Sequence, residues 1–116
     1  TLILGASPNP TRYAYIAAQR LMEKGHPIVL VGIKKGEING IPILNHREIQ
    51  PNIDTITLYL SPENQKEWYE YILNTHPKRL IFNPGTENDE LAQKARQKGI
   101  QTVEACTLVM LSLGNY

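Results

Sequence analysis

The sequence predicts an α/β fold in which a parallel sheet carries helices on both faces. Short apolar, β-branched runs alternate with stretches of helical periodicity along all 116 residues. One of those runs, PIVLV from Pro27 to Val31, is apolar without alternation, the mark of a strand covered on both sides. The chain also opens with four strand-favouring residues, a polar glycine turn and a helix start, all between Thr1 and Tyr15.

The elements follow from local rules. Thr1 to Leu4 is the first strand, and Gly5 to Thr11 the turn. Ala14, Ala17, Ala18 and Leu21 recur at helical spacing and place a helix over about Tyr13 to Lys24, stopped by Gly25. The alanines allow close packing on the sheet. Pro27 to Val31 is the second strand, followed by the loop Gly32 to Gly36. Asn39-Gly40 between apolar neighbours marks a small hairpin-like excursion over Glu37 to Ile43. Asn45 to Ile49 reads as a short capped helix ended by Pro51.

Asp54 to Leu60 is the third strand, with Ser61 as cap and Pro62 as first residue of a helix carrying Trp68, Tyr71, Ile72 and Thr75 on one face. Arg79 to Phe82 is the fourth strand and Asn83 to Glu87 a second glycine-containing loop. Asn88 caps a helix with Leu91, Ala92 and Ala95 inward, ended by Gly99. Ile100 to Val103 is the fifth strand, and Thr107 to Leu113 begins a last helix. The expected architecture is therefore a single domain, residues 1–116, with a Rossmann-like, doubly wound, five-stranded parallel sheet. Its first strand is expected centrally, with strands two and three on one side and four and five on the other. The ligand crevice then opens beyond the C-terminal ends of strands one and four.

Composition narrows the function. The charge of +1 and the scattered Lys and Arg residues offer no basic face for nucleic acid, and no apolar run approaches a membrane span. A single cysteine, Cys106, permits no internal disulfide, so a cytoplasmic protein is expected. Because Thr1 already lies in a strand, a few native residues are expected ahead of it.

The opening turn is suited to an anion. Backbone N–H groups and the helix dipole point beyond the strand, Gly5 permits close approach, Ser7 offers a hydroxyl and Arg12 a forked cation. It is not the dinucleotide fingerprint, whose three glycine positions are here Gly5, Ser7 and Pro10. Where an NAD site would place Asp or Glu, after the second strand, the chain has Gly32-Ile33-Lys34-Lys35. That substitution favours a ligand with a phosphate on its ribose, as in NADP or coenzyme A. His26, His46 and His76 are not spaced as a metal set, Cys106 has no CxxC partner, and Glu87 and Glu104 are the remaining acid–base candidates.

Taken together, Gly5-Ala6-Ser7-Pro8-Asn9-Pro10 with Arg12-Tyr13, Asn39-Gly40 before Pro42, Asn83-Pro84-Gly85 with Asn88, and Cys106 resemble the small stand-alone CoA-binding-domain proteins. That family is similar to the N-terminal CoA-binding domain of the succinyl-CoA synthetase alpha subunit. The resemblance implies that Gly5, Ala6, Ser7, Asn9, Arg12 and Tyr13 hold the diphosphate of CoA or an acyl-CoA. It also implies that Val31 and Ile33 flank the adenine and that Lys35, beside Lys34, meets the ribose phosphate. Leu60, Ser61 and Pro62 would line the adenine and pantetheine side, and Asn83, Pro84, Gly85 and Thr86 would border the arm leading to the thiol. The chain departs from the family at Ile33, Asn83 and Ala105, where Pro, Gln and Arg are usual. A second domain like the one that carries the synthetase's phosphorylated histidine is not expected. The expectation is a non-catalytic binding module or ligand sensor for a small-molecule nucleotide, with its protein partner unspecified. The alternatives are an NADP-dependent oxidoreductase domain and a degenerate nucleotide-fold interaction module.

Overall fold

A computed structural model describes all residues, Thr1–Tyr116. The strands are β1 (Leu2–Leu4), β2 (Val29–Val31), β3 (Glu37–Ile38), β4 (Ile41–Leu44), β5 (Thr55–Leu58), β6 (Arg79–Phe82) and β7 (Gln101–Glu104). The helices are α1 (Tyr13–Glu23), α2 (Pro62–Gln65), α3 (Tyr69–Thr75), α4 (Asp89–Gln97) and α5 (Thr107–Leu113). One seven-stranded sheet runs in the order β3-β4-β2-β1-β5-β6-β7. Every pairing is parallel except β3 with β4. No helix is long and apolar enough to cross a membrane.

The doubly wound α/β class stands, but the sheet has seven strands rather than five. The excess comes from the Asn39-Gly40 excursion. Asn39 and Gly40 both take positive φ, 49° and 83°, the combination of a hairpin turn whose twist matches its strands. That turn pairs β3 with β4, and β4 then pairs in parallel with β2, Leu30 facing Ile43. The excursion is thus part of the main sheet. Consequently Asp54 to Leu60, expected beyond the second strand, lies instead beside β1 as β5, and β4 takes the place beyond β2.

Two other expectations are corrected. Asn45 to Ile49 is not helical. Its expected cap, Asn45, donates its side-chain amide to the Gly32 and Lys34 carbonyls, both at 2.8 Å. Arg47 reaches away to the Glu67 backbone and stacks over the Trp68 ring at 4.2 Å. A five-residue helix has little stability of its own, and this link must cross three strand spacings, roughly 14 Å, to reach β5. The helix after Ser61 is also interrupted by a 3₁₀ turn at Lys66–Trp68. With three residues per turn, that segment places Gln65 and Trp68 on the same buried side.

Strand alternation divides the core. Leu2, Leu4, Val31, Ile56, Leu58, Leu80 and Phe82 face Trp68, Ile72, Leu91 and Ala95 of the α3 and α4 side. Ile3, Leu30 and Ile43 face Ala14, Ala18 and Leu21 of α1 and Leu111 of α5. The small stripe of α1 thereby brings its N-terminus over the end of β1.

At that end the chain leaves β1 through Gly5, with φ at +96°. A Cβ there would lie 2.9 Å from both the carbonyl carbon and oxygen of Tyr59. Gly5→Ala is expected to cost about 2 kcal/mol or more, from left-handed strain plus this clash. Gly40→Ala, also left-handed but with open space around it, should cost only about 1 kcal/mol. Urea denaturation of the two variants checks the difference.

Candidate functional site

The order of the parallel strands reverses between β1 and β5, so the loops after them diverge to opposite faces and leave a crevice above the sheet. The crevice has a volume of about 550 Å³. From the first turn it is lined by Gly5, Ala6, Ser7, Arg12, Tyr13 and Ala14, and from the loop after β2 by Ile33 and Lys34. Across from these lie Tyr59, Leu60, Ser61 and Asn64, with Pro84, Gly85 and Thr86 from the loop after β6.

The first turn is internally braced. Gly5 and Ala6 both donate their N–H to the Val31 carbonyl, at 2.9 and 3.1 Å. Asn9 receives the Thr11 N–H on Oδ1 at 3.0 Å, its own N–H meets Ser7 Oγ at 3.1 Å, and its carbonyl accepts from the Arg12 N–H. These bonds leave the N–H groups of Ser7, Tyr13 and Ala14 without a partner in the chain. Tyr13 and Ala14 are the first two residues of α1, where unpaired donors and the helix dipole act together. The Arg12 and Lys34 side chains have no carboxylate partner, since the only ion pair in the chain joins Arg47 and Glu67. Chemically the arrangement is suited to an anion, with three free backbone donors, a hydroxyl and two cations around one crevice.

The structure brings together twelve of the residues singled out in the sequence: Gly5, Ala6, Ser7, Arg12, Tyr13, Ile33, Lys34, Leu60, Ser61, Pro84, Gly85 and Thr86. Five lie outside the lining. Val31 is fully buried beneath it and acts through its carbonyl, and Asn9 braces the turn. Lys35 projects from the same loop as Lys34, and Pro62 opens α2.

Asn83 is buried under the crevice floor. Its Nδ2 donates to Thr57 Oγ1 at 2.7 Å and the Leu58 carbonyl at 2.9 Å, while its Oδ1 accepts from the Thr107 N–H at 2.8 Å. Both donors of this amide are therefore committed within the protein. Gly5 lines the crevice and also packs against the Tyr59 backbone. Sequence reasoning missed Tyr59 and Ala14. Tyr59 stood inside the expected strand Asp54 to Leu60, whereas β5 ends at Leu58 and leaves Tyr59 at its exit; residues leaving strand ends at a switch point are the signal that was available.

The acid–base candidates are dispersed. His26 packs edge-on against Tyr116, His76 Nε2 lies 3.0 Å from the Lys98 carbonyl, and Cys106 sits at the start of α5 outside the lining. Glu87 accepts from the Gly85 N–H at 2.8 Å and so folds onto its own loop. No three His, Cys, Asp or Glu side chains gather into a metal cage. Burial pushes the Tyr59 hydroxyl up to about 12, partly offset by the neighbouring Thr57 and Thr107 hydroxyls.

A family model described as "CoA binding domain" matches residues 1–112. Among solved structures, an uncharacterised protein is 54% identical, with 99% of this chain and 95% of that one covered and a TM-score of 0.98. A hypothetical protein from Pyrococcus horikoshii OT3 is 27% identical, covering 97% of this chain and 80% of that one, with a TM-score of 0.85. A conserved hypothetical protein from Pyrococcus furiosus is 26% identical, covering 93% and 95%, with a TM-score of 0.80. No curated protein matches the chain.

Two predictions rest on the floor of the crevice. Asn83→Ala strands the Thr107 N–H and Leu58 carbonyl in a buried position and should cost about 3 kcal/mol, lowering the melting temperature by roughly 10 °C. The raised Tyr59 value has a defined sign. The folded state holds the phenol proton more tightly, so below pH 10 the group contributes no pH dependence. Between about pH 10 and 12 the unfolded chain ionises first, and stability falls by about 2 kcal/mol. Tyr59→Phe should remove that part of the alkaline decline, as measured by urea titrations of parent and variant from pH 9 to 12.

Proposed function

The chain belongs to the CoA binding domain family, and from that membership we propose that it binds CoA or an acyl-CoA non-covalently in the crevice between the β1 and β5 loops. The observation that carries this reading is the group of unpartnered donors at the start of α1. Ser7, Tyr13 and Ala14 offer backbone N–H groups, and Arg12 a guanidinium free of any carboxylate. A diphosphate seated there exchanges water for charge-assisted bonds in a partly enclosed site.

Lys34 lines the same crevice from the loop after β2 and is the cation within reach for a ribose phosphate. Exposed Tyr13 and Ile33, 72% and 71% accessible, border it and offer apolar surface for a base. The arm of the ligand then runs towards Leu60, Ser61 and the Pro84–Thr86 loop, the remaining walls. On this reading the molecule is a binding module or sensor, because its crevice supplies groups suited to holding phosphate. NADP shares the ribose phosphate but not the pantetheine arm, so ligand competition separates the two.

Thermal melting with CoA, dephospho-CoA, NAD and NADP at equal millimolar concentration is the direct test. At about 100 times its dissociation constant, a ligand stabilises the fold by roughly 2.7 kcal/mol, several degrees for a domain of this size. The expected order is CoA above dephospho-CoA, with NAD and NADP ineffective. A shift with NADP alone replaces this reading with that of a reductase domain, and no shift with any of the four leaves an interaction module.

The cations provide a second test. Arg12→Ala and Lys34→Ala should each weaken CoA binding by roughly 1.5 kcal/mol, about tenfold, because both side chains are exposed and screened. Lys35→Ala is the comparison, since the family pattern puts the phosphate contact at Lys35 while the crevice wall carries Lys34. Calorimetric titration of the three variants assigns the contact.

A further inference from the structure

We propose that Gln65 is a positioning residue that fixes the spacing between the crevice walls formed by the loops after β5 and β6, and so governs binding of the ligand's arm. The inference rests on the CoA reading above for the identity of that arm.

Gln65 is fully buried although it is a polar residue near the start of a helical segment. Buried amides of this kind are uncommon unless their hydrogen bonds are met. Here they are met in a particular way. The single Nε2 donates to the Leu60 carbonyl and to the Thr86 carbonyl, both at 2.8 Å. Leu60 belongs to the loop after β5 and Thr86 to the loop after β6, and both line the crevice. Neither carbonyl has another partner in the chain. One NH₂ group therefore ties together two loops that no backbone bond joins at that level.

The brace is itself held. Gln65 Oε1 accepts from Asn88 Nδ2 at 2.9 Å, and the same Nδ2 donates to the Tyr69 hydroxyl at 2.8 Å. Asn88 Oδ1 in turn caps α4 by accepting from the Leu91 N–H at 3.1 Å. The orientation of the Gln65 amide is thus set by α3 and α4 together. An aliphatic side chain of the same length fills the space but holds neither carbonyl, and a carboxylate repels both. The phosphate turn is braced separately, by Val31 and Asn9. Loss of Gln65 should loosen the walls after β5 and β6 while the hydrogen bonds within the phosphate turn remain.

The test compares Gln65→Met and Gln65→Glu with the parent, using CoA and adenosine 3′,5′-bisphosphate, which has the ribose phosphate and base but no arm. By calorimetry the dissociation constant for CoA should rise tenfold or more, while that for the bisphosphate changes less than twofold. A variant damaged in folding would lose both ligands alike, so equal loss, or no loss, overturns the proposal. In the parent itself, the Gln65 side-chain amide protons should shift in NMR spectra on adding CoA and not on adding the bisphosphate. This readout holds even if neither variant folds, and an amide indifferent to both ligands overturns the proposal. A parent that binds the bisphosphate and not CoA removes the arm from the site and this inference with it. A parent that binds neither removes the CoA reading itself.

Discussion

Everything at the functional end of this molecule depends on how closely β1 and β5 approach where they diverge. Gly5 lies against the Tyr59 backbone with no room for a side chain. The Gly5 and Ala6 N–H groups then close on the single carbonyl of Val31. That pair of bonds turns the chain out of the sheet, and the residues that carry the next free donors, Ser7, Tyr13 and Ala14, line the crevice. A wider exit would leave the turn loose and the start of α1 displaced from the floor.

The floor is the second constraint. Thr57, Asn83 and Thr107 form a buried polar cluster between β5, β6 and α5, with Thr57 and Thr107 hydroxyls 2.8 Å apart. Polar groups in such a place stabilise only when they are fully paired, and each of these has a partner. The Asn83 carbonyl also receives both the N–H and the hydroxyl of Thr86, at 2.9 and 2.8 Å. Through that residue the core reaches the crevice wall, and Gln65 meets the same wall from the other side. Two buried residues, Asn83 and Gln65, therefore hold the Thr86 wall of the crevice.

The end of the crevice at the first turn has a different character. It consists of backbone donors whose positions are fixed by the turn, supplemented by exposed cations at Arg12 and Lys34. Backbone groups pre-set in this way lose little entropy on binding, whereas exposed cations add attraction that salt screens.

The sequence by itself determined the α/β class, the opening strand–turn–helix, the cap at Asn88 and the last helix, because each follows from periodicity or from a residue with one dominant conformational use. It also located most of the crevice lining, since in a doubly wound sheet the loops after the strands must converge. What only the tertiary structure decided concerns pairing. Asn39-Gly40 is readable as a turn, but local pattern does not say whether the strand it creates, Ile41 to Leu44, floats or joins β2; a contact between residues thirteen apart decides that. The same fact moved Asp54 to Leu60 beside β1. Side-chain roles were hidden for the same reason. Asn83 looks like a loop residue offered to a ligand and Gln65 like an ordinary helical polar residue, yet both are buried amides whose partners lie on other elements. Hydrogen-bond partners distant in the chain leave no periodic trace, and only folding brings them within 3 Å.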